Sequence, residues 1–251
     1  MRIVVAGGTG TVGRHVVAHA QNAGHDVVVL SRSRGVDVRS GEGLADALNG
    51  ADAVIDVTHP DTIEQGAATE FWTDVAGALQ RTGAEQGAEH IVTLSIVGIE
   101  KTSFGYYLAK LEHERAAAAG PVPNTVMRAT QFHELPAQLI ALTRHDSHAQ
   151  VLDMRPVQTV AARTVGELLL EVAEAAPAGR APDLAGPQQG GLVTLARAFV
   201  QQRGEPITVH PDAESVAGIP PGALLPGTDA RIQGPAYEEW LAGEDASALP
   251  V

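Results

Sequence analysis

The stretch Met1-Arg-Ile-Val-Val-Ala-Gly-Gly-Thr-Gly-Thr-Val-Gly13 decides the fold. Ile3 to Ala6 form a short apolar run, as expected of a strand buried on both faces of a parallel sheet, and Gly7, Gly10 and Gly13 follow at intervals of three. The first glycine allows a tight turn out of the strand, the second lets backbone approach a pyrophosphate, and the third lets the next helix pack close on the strand. Thr9, Thr11 and Val12 complete the turn, and backbone N–H groups at the start of the helix face the phosphates with the helix dipole behind them. The spacing predicts a dinucleotide-binding turn.

Its surroundings agree. Val12, Val16, Val17 and Ala20 recur at helical spacing, Gly24 is placed to end that helix, and Val27 to Leu30 read as a second buried strand. Strand, glycine turn, helix and strand within about thirty residues is the context such a motif needs.

At 251 residues and 44% hydrophobic content, the chain can bury the core of one large α/β domain, or of one with a modest appendage. No apolar run of about eighteen residues occurs, so no membrane span is expected. The N-terminus enters a strand at once, which leaves no room for a signal peptide. Without cysteine there is no disulfide, thiolate metal site or cysteine nucleophile, and a cytoplasmic location is the expectation. The net charge is −13 and the basic residues are scattered, which argues against direct nucleic-acid binding. Of the 17 basic residues only Lys101 and Lys110 are lysine, which directs attention to work that needs an ammonium. His145 and His148 have one-turn spacing but no third ligand beside them, so a solvated loop is the reading and no metal site is expected.

Past the second strand, where NAD-preferring domains place an acidic residue for the ribose hydroxyls, the chain has Ser31-Arg32-Ser33-Arg34-Gly35. A 2′-phosphate needs donors and positive charge, which Arg32 supplies as a planar fork and Ser31 as a hydroxyl, with Arg14 or Arg34 as helpers. NADP is therefore expected before NAD. Val36 to Val38 read as a short third strand whose Asp37 meets the adenine edge. Ala53 to Thr58 read as a fourth strand with Val57 and Thr58 beside the cofactor, and His59 as a loop residue. A helix over roughly 66–86 carries Phe71, Val75, Ala78 and Leu79 on its apolar face, and Ile91 to Ser95 form a fifth strand.

Eleven residues after Ser95, Tyr106 opens a helix in which Lys110 lies one turn further on the same face. Proton transfer to a carbonyl needs a phenol whose pKa is pulled down from about 10, and a fixed ammonium would do that. Tyr107 points about 100° away around the helix.

Ala6 to Arg14, Leu94-Ser95-Ile96-Val97-Gly98, the Tyr106 and Lys110 pair, and Arg128-Ala129-Thr130-Gln131-Phe132 together resemble the atypical short-chain dehydrogenases of the NmrA-like, NAD(P)-binding branch. The resemblance implies Gly7, Gly10 and Gly13 as the phosphate turn, Arg32 as the 2′-phosphate reader, and Ser95, Tyr106 and Lys110 as the catalytic set. The family commonly has Asn in the helix before the fifth strand, where this chain has Asp74. Gln131, Phe132 and His133 lie where relatives bring substrate and nicotinamide together, and are the pocket candidates.

Val157 to Val160 read as a short strand returning toward the pocket, and Thr164 as the N-cap of a helix with Glu167 at the capping-box offset. A proline-punctuated remainder follows, with helices at Val193 to Gln202 and around Tyr237 to Leu241. The expected fold is α/β: a Rossmann-type doubly wound parallel sheet over 1–165, with 151–165 returning, and a small C-terminal α/β substrate-capping subdomain over 166–251. The expected function is an NADP(H)-dependent oxidoreductase acting on a small carbonyl or quinone. The alternative is a non-enzymatic NADP(H)-sensing regulator of the NmrA-like kind. A sugar-nucleotide epimerase is a weaker third reading, since the C-terminal part looks small for a nucleotide-sugar site. A small-molecule substrate is the expected partner, and a homodimer is left open.

Overall fold

The computed structural model describes residues 1–32 and 35–250. Ser33, Arg34 and Val251 lie outside the described residues, and with them the helper role expected of Arg34. The chain forms two compact units: Met1–Ile96, Gly105–Arg128 and Val165–Pro182 make the first, and Val97–Phe104, Ala129–Thr164 and Asp183–Val251 the second. The residue 165 at which a boundary was expected is where the chain re-enters the first unit.

The opening run forms β1 (Arg2–Ala6), and the glycine turn leads into α1 (Gly13–Asn22) and β2 (Asp26–Leu30). α2 (Leu44–Leu48), β3 (Ala53–Asp56), α3 (Gln65–Gln86), β4 (His90–Ile96), α4 (Gly105–Ala118) and β5 (Asn124–Ala129) follow. β1 pairs in parallel with β2 on one side and β3 on the other, and β3 in parallel with β4. The strand order therefore reverses beside β1, and in open α/β sheets ligands bind at the carboxyl ends of strands at such a point. Val4, Ala6, Leu30, Leu44, Leu48, Val54, Val75, Leu79 and Ile91 form a core between sheet and helices. Burial on β1 and β3 is why Ile3 to Ala6 and Ala53 to Ile55 read as unbroken apolar runs.

Val36 to Val38 do not form the expected strand. Val36 N–H donates to Ser31 O, Gly35 N–H to Arg32 O and Gly41 N–H to Asp37 O, so this segment spends its backbone groups on turns. Asp37 is exposed there, accepting from the Arg39 N–H.

α5 (Leu135–Thr143) and β6 (His148–Leu152) come next, and His148 thus begins a strand rather than sitting in a loop. Val157 to Val160 make only isolated bridges, Phe132 to Val160 and Val157 to Gly190. α6 (Ala162–Glu174) begins two residues before the expected cap at Thr164, because the buried carboxylate of Glu134 accepts from the Ala162 N–H. From Val165 onward α6 belongs to the first unit, where a Cβ on Gly166 would lie 2.9 Å from the Val16 nitrogen. β7 (Gly179–Arg180) then pairs in parallel with β5.

In the second unit β8 (Leu184–Ala185) pairs with Ala129, α7 (Leu192–Arg203) follows, and β9 (Thr208–Asp212) pairs in parallel with β6. β10 (Arg231–Ile232) lies parallel to β8, and α8 (Tyr237–Leu241) and α9 (Glu244–Ser247) close the chain. No helix among the described residues is long and apolar enough to cross a membrane.

Candidate active site

The glycine turn has no room for side chains. Gly7 adopts φ +82°, and a Cβ on it would lie 2.8 Å from the Val57 carbonyl oxygen. A Cβ on Gly13 would overlap the Gly7 carbonyl oxygen and the Gly8 Cα. The turn is held by Gly7 N–H to Leu30 O and Gly10 N–H to Gly7 O, both at 3.0 Å. Thr9 and Gly10 are exposed, Val12 is buried, and no side chain caps α1. A helix start left without a side-chain cap, above a turn closed to side chains at Gly7 and Gly13, is what an incoming phosphate needs. Gly13→Ala is expected to destabilise the fold by roughly 1–3 kcal/mol through overpacking and to abolish dinucleotide binding. Thermal melts and calorimetric titration of the variant check both parts.

Close approach of Gly7 to Val57 sets the loop after β3 beside this turn, so the expected Val57 and Thr58 do join Gly7. Arg32, exposed, pairs with Asp61 in the same loop at 2.9 Å. An ion pair so exposed contributes no more than about 1 kcal/mol, which leaves the guanidinium available to a competing anion. Asp74 does not face this region. It is exposed and takes Arg39 in a two-pronged contact at 2.6 and 3.1 Å, with Glu70 beside it. It acts in a surface ion pair with Arg39.

Beneath the loop after β3 lies a buried polar chain that the residue pattern did not reveal. Asp56 ends β3 with one carboxylate oxygen accepting from the Thr58 N–H (2.9 Å) and hydroxyl (2.7 Å), and the other 2.9 Å from His113 Nε2. His113 Nδ1 lies 2.9 Å from Lys110 Nζ. A carboxylate only accepts and an ammonium only donates, so His113 is neutral, gives its Nε2–H to Asp56 and receives from Lys110 at Nδ1. Burial and the Lys110 charge both push His113 below its ordinary pKa, in keeping with that state. Burial works against Asp56 ionisation, yet His113, Lys110 and Thr58 together lower its pKa from 3.8 to about 2. Burial lowers Lys110 to about 8, against the pull of Asp56 and Glu114. The Lys110 ammonium also sits 4.3 Å above the Trp72 ring, and Trp72 stacks on His113 at 5.8 Å.

Lys110 is thus turned into this chain and does not lower the Tyr106 pKa as expected. Tyr106, packed on Trp72 at 5.1 Å, is pushed above the usual phenol range by burial, and its hydroxyl meets His59 Nε2 at 2.8 Å. Ser95 is buried near the end of β4. Its Oγ lies against Glu114 and helps keep that carboxyl ionised, but without the geometry of a full hydrogen bond. Glu114 is held by Arg128 in a two-pronged pair, both contacts at 2.7 Å. Among the described residues no hydrogen bond joins any two of Ser95, Tyr106 and Lys110. Tyr107 is buried, with its ring edge toward Tyr106.

Three pocket candidates differ in kind. His133 is fixed between the Thr159 hydroxyl (2.7 Å) and the Pro235 carbonyl (3.1 Å), against the Tyr237 and Trp240 rings. Burial lowers its pKa to about 4, so it is a neutral packing residue. Phe132 is half-buried. Gln131 is buried with both amide atoms unpaired, as is the Thr130 hydroxyl, which leaves donor and acceptor capacity for a ligand.

Residues 3–94 match the model of the NAD dependent epimerase/dehydratase family. A curated relative, the 4-hydroxy-tetrahydrodipicolinate reductase of Natronomonas pharaonis, is 41% identical over 87 residues, which is 33% of this chain and 35% of that protein. The likeness thus spans about a third of the relative's length. Among solved structures, the dTDP-4-dehydrorhamnose reductase of Bacillus anthracis in complex with NADP superposes with a TM-score of 0.67 at 12% identity, over 96% of each chain. The NADPH-dependent quinone oxidoreductase of Escherichia coli, complexed with NADPH, gives a TM-score of 0.63 at 17% identity, over 85% of this chain and 80% of that one. At such identities the likeness is one of fold. Parallel sheet, closed glycine turn and the match over residues 3–94 together assign this chain a Rossmann-type α/β fold, the fold of the solved reductases complexed with NADP or NADPH.

Proposed function

We propose that the chain is an NADP(H)-dependent oxidoreductase of the atypical short-chain dehydrogenase type, acting on a small carbonyl or quinone. The observation that carries this reading is a glycine turn closed to side chains at the sheet's switch point, within the same compact unit as the Tyr106 phenol. Solved structures of like fold that contain NADP or NADPH support it. Gly7, Gly10, Gly13 and the first N–H groups of α1 hold the pyrophosphate, and Ser31 and Arg32 the 2′-phosphate. When bound, the dinucleotide supplies or accepts hydride at its nicotinamide ring. Tyr106, kept protonated by burial, gives its proton to the substrate oxygen, and the Ser95 hydroxyl stands as a second donor. Titration with NADPH and NADH, followed by NADPH oxidation with a panel of quinones, aldehydes and ketones, tests the reading.

Cofactor choice is a separate expected outcome. NADPH should bind more tightly than NADH, and Arg32→Ala should weaken NADPH by roughly 1.5–3 kcal/mol, the scale of a hydrogen bond to a charged group, while sparing NADH. Equal affinities in the parent protein would remove the 2′-phosphate role from Arg32.

One observation favours the second reading, a non-enzymatic NADP(H) sensor: Lys110 is committed to His113 and Trp72 and leaves the Tyr106 phenol a weak acid. Tight binding of NADPH or NADP⁺ with clearly unequal affinities, and no turnover of any compound, is the result that reading requires.

A further inference from the structure

His59 follows Thr58 in the loop after β3 and is exposed. Its ring lies 5.8 Å from the Tyr106 ring and edge-on to Trp72 at 6.4 Å. Desolvation by the packed rings, the largest influence, and the Lys110 ammonium on α4 press the His59 ring toward neutrality, against the Pro60 backbone and Asp61 on its own loop. A neutral imidazole has a single N–H. The Tyr106 hydroxyl lies 2.8 Å from Nε2, and in the Nδ1–H tautomer that nitrogen carries the lone pair that accepts from it.

On the reading of the chain as an oxidoreductase, we propose that His59 is the positioning residue for Tyr106: it aims the hydroxyl and takes up its proton when a substrate alcohol is oxidised. The substrate O–H gives its proton to the Tyr106 oxygen as the Tyr106 proton passes to Nε2. Tyr106 stays a neutral phenol, and His59 becomes an imidazolium. In reduction each proton moves back, from Nε2 to the Tyr106 oxygen and from Tyr106 to the substrate oxygen. Only O–H and N–H bonds change in this pair, and no electrons are transferred within it. Lys110 then acts on Tyr106 at one remove, by disfavouring the imidazolium of resting His59 and so keeping Nε2 open.

The test has two arms. Nitrogen-15 NMR of the histidine rings at neutral pH is expected to show His59 as the Nδ1–H tautomer with a bare Nε2, and Tyr106→Phe to shift the Nε2 signal far more than Nδ1. An Nε2–H tautomer in the parent protein overturns the proposal. In the kinetic arm, His59→Gln keeps an acceptor for the Tyr106 hydroxyl but cannot take its proton. It should leave NADPH affinity unchanged, lower alcohol oxidation about 10²-fold, the lower end for general acid–base loss, and erase the fall in rate on the acid side of the pH profile. An acid limb retained in His59→Gln overturns the proposal, whereas its loss without the rate change supports orientation alone and overturns proton uptake. Absence of turnover in the parent protein sinks the oxidoreductase reading, and the NMR arm then decides the Tyr106 to His59 hydrogen bond by itself.

Discussion

Tyr106→Phe is expected to lower turnover by about 10²–10⁴ while leaving NADPH affinity unchanged, the loss that follows when a positioned proton donor is removed from a transition state. The substitution deletes one oxygen. Its ring remains packed on Trp72 and Tyr107, and among the described residues that oxygen meets only His59 in a hydrogen bond, so the bed of the site should survive. Tyr107→Phe is the control. Tyr107 lies on another face of α4 and is itself buried, so its loss should act through packing and move melting temperature more than rate. NADPH oxidation with the carbonyl and quinone panel, measured beside affinity and melting for all three proteins, separates the outcomes. If Tyr107→Phe alone is inactive, the proton donor has been assigned to the wrong tyrosine.

Much of the dinucleotide half was legible because its signals are local. An apolar run of strand length, three glycines and a helical repeat can be read within a window of about thirty residues. The strands they mark pair in parallel, with Val4 opposite Val28 and Val54. Partnerships between distant residues were not legible. Asp56 and His113 are 57 positions apart, and nothing along the chain says that they meet. Asp56 did carry a weak signal, a lone acid in an otherwise apolar strand, and His113 another, one turn past Lys110 on the same helix. Trp72 was hidden by its neighbour: Phe71, read on the apolar face, does pack against the core, but Trp72 is the more buried of the two. The alternation in His148 to Leu152, exposed and buried by turns, was a strand signal obscured by the histidines and Asp146 around it.

The buried chain under Trp72 carries the second large effect. Asp56→Ala should cost about 3–5 kcal/mol, because it strands the Lys110 ammonium and the His113 N–H in a place without water. Replacing Asp56 by Leu together with Lys110→Met removes both charges at once and should recover the part of that loss that comes from the stranded ammonium, while the His113 N–H stays without Asp56 as its acceptor. The pH dependence has a sign that each group fixes. Asp56 has a lower pKa folded than unfolded, about 2 against 3.8, so its contribution is full above the unfolded value and is lost as pH falls through the folded one, by about 2 kcal/mol. Lys110 also has a lower pKa folded, about 8 against 10.5, but for a cation this means a charge held at a cost below pH 8. The unfolded chain binds the extra proton between those values, so stability should rise by about 3 kcal/mol as pH climbs from 8 through 10.5. Lys110→Met should abolish that alkaline gain and reduce the acid loss, since Lys110 is one of the groups that lower the Asp56 pKa. Denaturant titrations of the parent, the two single variants and the Asp56→Leu with Lys110→Met pair, taken across this pH range, give each quantity directly. A pair as unstable as the sum of its single changes would mean that packing at Trp72, and not the compensation of buried charge, is what these residues supply.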